Sequence, residues 1–542
     1  MKMKKRILFP LAALLLLVTT AGFKSDFFEI AKQIEIFTTL FKELNMNYVD
    51  ENTPATLMDN AIKGMLDDLD PYTVYWNEQE VQEARIRNSG TYTGIGASVR
   101  TQKDKIVIVE PFKDYPADKA GLKAGDEIIK IGNTALADFE DDAGELLKGA
   151  AGSDVQLTYL RQGKQMTTTL TREKVDVKAV PFYGLIGEDI GYIVLSKFNR
   201  RTTIETRNAL EELKLDGAQK IILDLRGNPG GLLNEAINVV NLFVPKGEPI
   251  TTTKSVINKY NKTYKTQQDP VDTEIPLVVL INGRSASASE IVAGGLQDLD
   301  RAVIVGARSF GKGLVQRPKK LTYGTQLKVT ISRYYTPSGR CIQALDYWNR
   351  DENGDPVRLD PKEYNAFTTK GGRTVYDGGG ILPDIELESA KFSPVTTALL
   401  RDRAIFDYAT DYYFSNTLAN SDDFKFDDKD FNDFVSYLSK NGFDYQTETE
   451  KEFAHAIKRA EDDGLQEEIQ ASYDQLMASI NKAKERELVK KKAEITSLLS
   501  DEILKRYFYR EGLYSYQIDH NPEILEAVAV LNDAARYKGI LE

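Results

Sequence analysis

Histidine and cysteine are almost missing from this chain. Two histidines, His455 and His520, and one cysteine, Cys341, are the whole supply in 542 residues. A single cysteine can neither form a disulfide within the chain nor build a thiolate metal site, though it tolerates an oxidising compartment. Both histidines fall in the C-terminal third. A serine–histidine–aspartate triad would therefore have to borrow its base from the tail of the chain. Excess positive charge is lacking too. The formal net charge is -12, and an acidic surface argues against nucleic acid as a main partner, because phosphate binding needs a positive field. The plain consequence of such a surface is solubility. No internal repeat or low-complexity tract is present.

Long apolar runs are scarce. The run at 7–18 is shorter than the about 20 residues that a membrane-spanning helix needs. It follows Lys2, Lys4, Lys5 and Arg6 and precedes the small residues Thr19, Thr20 and Ala21. That anatomy predicts a signal peptide at 1–23. The chain is then exported, most simply to a bacterial periplasm, either soluble or held at the inner membrane by an uncleaved segment. No cysteine stands near Ala21, which excludes a lipid anchor on cysteine.

The remainder has ordinary globular composition, with 42% hydrophobic and 28% charged residues. Its length suggests about three or four domains. Residues 26–88 read as a helical region, with Ile30, Ile34, Phe37, Leu40, Phe41 and Leu44 at helical spacing. A second helix opens at Pro54 and stops at Asp70-Pro71. From 89 to 173 the texture is short β-like runs (97–100, 106–110, 127–131, 155–160, 167–171) broken by turn signals. From 175 to 390 strands alternate with helices, which predicts an α/β core. Within it, 346–375 is polar and reads as an inserted loop. Residues 391–542 read as helical, and the stretch 482–492 as a solvated helix face. Capping the core and pairing protomers are both open as roles for this tail.

Three segments carry candidate chemistry. The strand 277–281 runs into Asn282-Gly283-Arg284, then Ser285, Ser287 and Ser289, then a helix. A serine at such a junction sits near the positive end of a helix dipole, which favours a developing oxyanion; the same serines could equally be caps. A nucleophilic serine needs a base. With no histidine in the core, the best candidate is Lys312, flanked by Gly311 and Gly313. To serve near neutral pH its amine must lose its proton, at a cost of about 4 kcal/mol in disfavoured charging, which a dry pocket can supply. The third segment, 224–231, places tandem glycines after a strand, where backbone N–H groups can approach a ligand. Residues 306–313 also approximate a phosphate-binding loop, but Gly313 stands where Ser or Thr should hold magnesium, and the following residues look extended.

The segments AIKGMLDDLDPYT (61–73), DLRGNPGG (224–231), NGRSASASEIVAGGLQD (282–298), GARSFGKGLVQ (306–316), RYYTPSGRCIQ (333–343) and GGGILPDI (378–385) resemble the carboxyl-terminal processing proteases, or tail-specific proteases. The resemblance spans about 55–388 in the family's order. It implies a crotonase-like α/β spiral core shared with Clp proteases, and a serine–lysine mechanism that cleaves proteins near or from their carboxyl termini. It implies Ser287 as nucleophile, Lys312 as general base, and Gln316 as the residue that positions the lysine. If 312–316 is extended, the Cα atoms of Lys312 and Gln316 lie about 13 Å apart; in a helical turn they are side by side. The oxyanion donors would be the N–H of Ala288 and of Gly230 or Gly231. Glu290 matches a family position of less defined role.

The segments TGIGASV (93–99) and YPADKAGLKAGDEIIKIGN (115–133) resemble the family's PDZ domain. There, Gly94, Ile95 and Gly96 would offer N–H groups to a substrate's terminal carboxylate, and Ala97, Ser98 and Val99 would pair with the tail. The implied partners are proteins with free, apolar C-termini. No metal or organic cofactor is implied, and an oligomer of the chain is left open. The rival readings are an inactive PDZ scaffold and an acyl-thioester enzyme on the same fold.

Overall fold

Strands buried on both faces need apolar side chains at every position, and the central runs of this chain supply them. All five residues of Leu277–Ile281 are fully buried. In the computed structural model, which describes residues 27–139, 142–352, 354–388, 392–421 and 423–542, this strand is central to a six-stranded sheet. Its order is Phe182–Ile186, Ile190–Val194, Lys220–Asp224, Leu277–Ile281, Val303–Gly306 and Ile385–Glu386. The first pair is antiparallel and the remainder are parallel. The predicted signal segment lies outside the described residues.

Alternate residues of a strand face opposite sides, so this sheet has two interfaces. On one side Ile221, Leu223, Val279 and Ile281 pack with the helices Thr202–Leu215, Leu233–Asn241 and Ala288–Asp298. On the other, Ile222, Val278, Leu280, Val303 and Val305 pack against Ile524, Ala527, Val530 and Leu531. These four belong to the helix Pro522–Asn532, capped by the Asn521 side chain. The C-terminal region therefore covers the core sheet. Each large side chain it buries is worth about 1.5–3 kcal/mol of transfer free energy.

The β-rich segment is an antiparallel sheet in the order Ala97–Thr101, Ile106–Pro111, Glu127–Ile131, Asp154–Arg161, Lys164–Thr171. Ile106, Ile108, Leu122, Ile128 and Leu157 fill its core. The strand Ala97–Thr101 sits at the end of this order, so one of its edges is open. Thr91–Gly94 and Glu173–Asp176 pair where the segment begins and ends.

Residues 27–77 with 318–329 form a unit of their own. Residues 27–47 are helical. The helix Pro54–Asp67 opens on proline, which fits a first helical turn. Val74–Trp76 pairs antiparallel with 326–328.

Two expectations change. The polar insertion is not a plain loop: Leu345–Arg350 pairs with Pro356–Arg358, and Ala366–Thr368 with Thr374–Tyr376. Those strands carry too few apolar residues to show a period of two. The stretch 482–492 is not wholly a solvated face either. Lys484 is buried, its ammonium bonded to Asp444 at 2.9 Å and Glu450 at 3.0 Å. Among the described residues no helix is long and apolar enough to cross a membrane.

Candidate active site

The chain leaves the strand Leu277–Ile281, turns through 282–287 and enters the helix Ala288–Asp298. Three serine hydroxyls lie on this turn and the start of its helix, and those of Ser285 and Ser289 donate to main-chain carbonyls. Ser285 Oγ is fully buried, donates to Leu225 O at 2.8 Å and accepts from Asn282 N–H. Ser289 Oγ is fully buried and donates to Asn228 O at 2.9 Å. Ser287 is only half-buried. Its backbone stands at φ 56° and ψ -108°, a region that side chains with a Cβ rarely adopt. The Tyr334 hydroxyl donates to Ser287 O at 3.3 Å. Sequence alone left the three serines equivalent; burial separates them.

Glu290 holds the turn to the lysine segment. Its carboxylate is fully buried and accepts four bonds. Oε1 accepts from Ser309 Oγ at 2.5 Å and Gly311 N–H at 2.7 Å. Oε2 accepts from Ser287 N–H at 2.7 Å and Lys312 N–H at 2.9 Å. Burial pushes the Glu290 pKa up, and the four donors pull it back without cancelling the rise. Glu290 thus fixes the backbone of both candidate residues.

The later motifs buttress the same loop. Ala344 N–H donates to Gly311 O at 2.9 Å, Tyr334 N–H donates to Gly313 O at 2.9 Å, and Gly313 N–H donates to Gln343 Oε1 at 2.7 Å. Ser309 Oγ accepts from Ile381 N–H at 2.7 Å. Lys312 is half-buried. A strand, Leu314–Lys320, follows it, where a phosphate-binding loop would be followed by a helix. Gln316 lies in that strand and its Nε2 donates to Thr330 Oγ1 at 3.1 Å. The segment beyond Gly313 is therefore the extended alternative, with Gln316 the third residue of the strand.

The glycine turn meets the serine turn directly. Asn228 is fully buried; its Nδ2 donates to Leu195 O, and its carbonyl accepts from Ala286 N–H at 3.0 Å. A Cβ on Gly230 would lie 2.6 Å from Ala286 O and 2.8 Å from Ala288 N, at a φ of +93°. Only glycine fits there. Of the two glycines expected to donate, Gly230 already gives its N–H to Asn228 Oδ1 at 2.9 Å. Among the described residues the N–H of Gly231 has no acceptor. Ala288 opens its helix, so its N–H has no partner within it.

Arg226, at the start of this turn, bonds Asp224 through Nε at 3.0 Å and Nη2 at 2.6 Å. Its Nη1 reaches Asn521 at 2.7 Å and Glu523 at 3.0 Å. Those last two residues were not legible as part of the site, since nothing in a linear sequence marks a partner nearly three hundred positions away.

A cavity of about 620 Å³ joins the two halves of the predicted machinery. Ile95, Ala97, Ser98 and Val99 line one side, and Phe198, Gly230 and Gly231 the other. Gly94, Ile95 and Gly96 are buried in the turn before the open edge. Tyr92 lies beside them. Burial pushes its hydroxyl up to about 12, while the N–H groups of Ala97 and Gly96 act in the opposite direction.

Comparison with known proteins agrees with this layout. Residues 93–171 match the PDZ domain, 189–346 match peptidase family S41, and 395–531 match the C-terminal helical domain of probable PDZ-proteases. A carboxy-terminal-processing protease of Bartonella bacilliformis is 39% identical over 321 residues, covering 58% of this chain and 73% of that protein. The chain belongs to peptidase family S41, that of the carboxy-terminal-processing serine proteases. A probable CtpA-like serine protease of Staphylococcus aureus is 34% identical over 307 residues, 56% of this chain and 61% of that one. Among solved structures, the photosystem II D1 C-terminal processing protease is 28% identical, with a TM-score of 0.36, covering 65% of this chain and 86% of that one.

Other titratable groups of this S41 peptidase are occupied elsewhere. His520 stacks on Tyr516 at 3.9 Å, and its Nδ1 contacts Tyr516 O at 2.8 Å. The carboxylates of Glu83, Asp142 and Glu145 gather within 4.8 Å of one another, a cluster the sequence did not suggest. Asp142 Oδ1 accepts from Gly144 N–H, and Glu145 pairs with Lys148.

Proposed function

We propose that this chain is an exported endopeptidase that cleaves proteins near or from their C-termini, with Ser287 as nucleophile and Lys312 as general base. The observation that carries this reading is the single oxygen, Glu290 Oε2, that accepts from the backbone N–H groups of both residues. A lysine's flexible four-carbon stem then needs to bridge only a short gap. The neutral Lys312 amine takes the proton from Ser287 Oγ as that oxygen attacks the scissile carbonyl. The N–H groups of Ala288 and Gly231 receive the oxyanion. The protonated amine then gives its proton to the leaving nitrogen, and water hydrolyses the acyl-serine with Lys312 again as base. Gln316 acts on Lys312 from the adjoining strand.

The PDZ domain, at 89–173, grips the substrate's terminal carboxylate at Gly94, Ile95 and Gly96. Its open edge at Ala97, Ser98 and Val99 pairs with an apolar tail. The shared cavity supports this division of labour. The remaining parts of the proposal are a signal peptide at 1–23, a helical region at 26–88, a spiral crotonase- or Clp-like core at 175–390, a helical domain at 391–542, and a periplasmic location.

The test uses the full chain and an unstructured reporter with an apolar C-terminus. Ser287→Ala should abolish cleavage, and Lys312→Ala should lower the rate by about 100-fold or more. Continued cleavage by Ser287→Ala overturns the reading. A serine-reactive phosphonate should label Ser287 alone; no labelling would favour an inactive PDZ scaffold.

A further inference from the structure

Among the described residues, the cavity between the PDZ edge and the glycine turn is lined by three cations, Arg87, Lys148 and Lys197, and by no carboxylate. Two of the three are paired at its rim. Arg87 bonds Glu83 at 3.3 Å, and Lys148 pairs with Glu145. Lys197 is different. It comes just after the core strand Ile190–Val194 and just before Phe198. Phe198 N–H donates to Gly230 O at 3.2 Å, and Leu232 N–H donates to Phe198 O at 2.9 Å. The lysine's backbone is thereby pinned beside the glycine turn.

Two carboxylates act on Lys197 electrostatically, and both are committed to other donors. Glu110 is held by Arg510 in a forked pair, the shortest contact 2.6 Å. Glu205 accepts from Arg201 Nε at 2.7 Å and from the N–H groups of Ala179 and Val180 at 2.7 and 3.0 Å. Among the described residues no hydrogen bond or ion pair engages the Lys197 ammonium. Burial first, then the Arg510 guanidinium, push its pKa down. A half-buried ammonium without a partner is costly, and a carboxylate entering the cavity would relieve that cost.

We propose that Lys197 binds a carboxylate of the peptide lying between the PDZ groove and the Gly230–Gly231 turn. The carboxylate is either the substrate's terminus or an Asp or Glu side chain near it. The proposal rests on the peptidase reading of the site. It makes Lys197 a binding and specificity residue, separate from the proton transfer at Ser287.

The experiment measures Kd by fluorescence anisotropy on the full chain carrying Ser287→Ala, with and without Lys197→Met. Three labelled apolar peptides are compared: one with a free terminus and no acidic residue, one amidated and neutral, and a set amidated with a single Glu scanned through its last positions. Lys197→Met should weaken binding about tenfold for one carboxylate-bearing class and leave the neutral peptide unchanged. Lys197→Arg should keep most of the affinity. Loss confined to the free terminus identifies the terminal carboxylate; loss confined to one Glu position identifies a side chain. Equal affinities with and without Lys197→Met overturn the proposal, as does an equal loss for all three peptides or no binding of any carboxylate peptide before the lysine is changed. Failure of the peptidase reading registers separately, as absence of cleavage with Ser287 intact.

Discussion

The backbone nitrogens of Ser287 and Lys312 donate to the same oxygen, Glu290 Oε2, at 2.7 and 2.9 Å. Two residues 25 positions apart are thereby tied at their main chains. The other Glu290 oxygen ties down Ser309 and Gly311, so the whole lysine loop is referenced to the serine turn. The proposed proton transfer would demand placement to a fraction of an ångström, and a buried carboxylate with four donors would hold both backbones for it.

Glu290→Gln should therefore be far more damaging than its size suggests. Whichever way the amide sits, its NH2 meets two donors that had an acceptor. The rate constant kcat should fall by about 100-fold, with about 1–3 kcal/mol lost in stability from unsatisfied donors. Steady-state kinetics beside thermal melts check this. A variant with unchanged kcat would show that Glu290 is dispensable for placement.

Gly230→Ala should abolish activity with a folded protein remaining. The new Cβ would sit 2.6 Å from Ala286 O and 2.8 Å from Ala288 N at a positive φ. The two turns must part, and the Ala288 N–H moves with them. Phosphonate labelling of Ser287 should slow along with peptide cleavage. Normal turnover would mean that the turns can separate without harm.

Arg226→Met should destabilise the protein by about 3 kcal/mol, because Asp224 is left buried without its counter-charge. Burial opposes the charge on Arg226, but Asp224 outweighs it and holds the guanidinium well above its ordinary value. Adding Asp224→Asn should recover part of the loss, since the stranded charge is gone. Urea denaturation of the single and double variants reads both numbers.

A pH-dependent term comes from Asp501, whose carboxyl burial raises from 3.8 to about 6. The folded state then holds the proton more tightly than the unfolded one. The stabilisation is complete below the unfolded value and is lost as pH climbs through about 6. Asp501→Asn should raise Tm at about pH 8, by an amount worth at most about 3 kcal/mol, and change it little near about pH 4. An equal change at both pH values would point to packing instead.

The central strands were legible nearly to the residue, because a strand buried on both faces is an unbroken apolar run, as in Leu277–Ile281. The hairpin Leu345–Arg350 with Pro356–Arg358 was not, because exposed polar strands carry no such run. Within the site, residue types pointed to Ser287 and Lys312 only together with the family resemblance. Their environment then set Ser287 apart from Ser285 and Ser289, whose hydroxyls donate to main-chain carbonyls. Gly230 and Gly231 looked interchangeable until the Asn228 side chain took one of the two N–H groups. Glu290 matched a family position of less defined role; three of its four donors, on Ser309, Gly311 and Lys312, come from a loop that only folding brings near.

The helix Pro522–Asn532 covers one face of the core sheet through Ile524, Ala527, Val530 and Leu531. Without that helix, Ile222, Val278 and Leu280 would lose much of their apolar cover, and the sheet would present a greasy face to water. A cut near position 520 would thus loosen the sheet from behind while leaving the sequence of the serine and glycine turns intact.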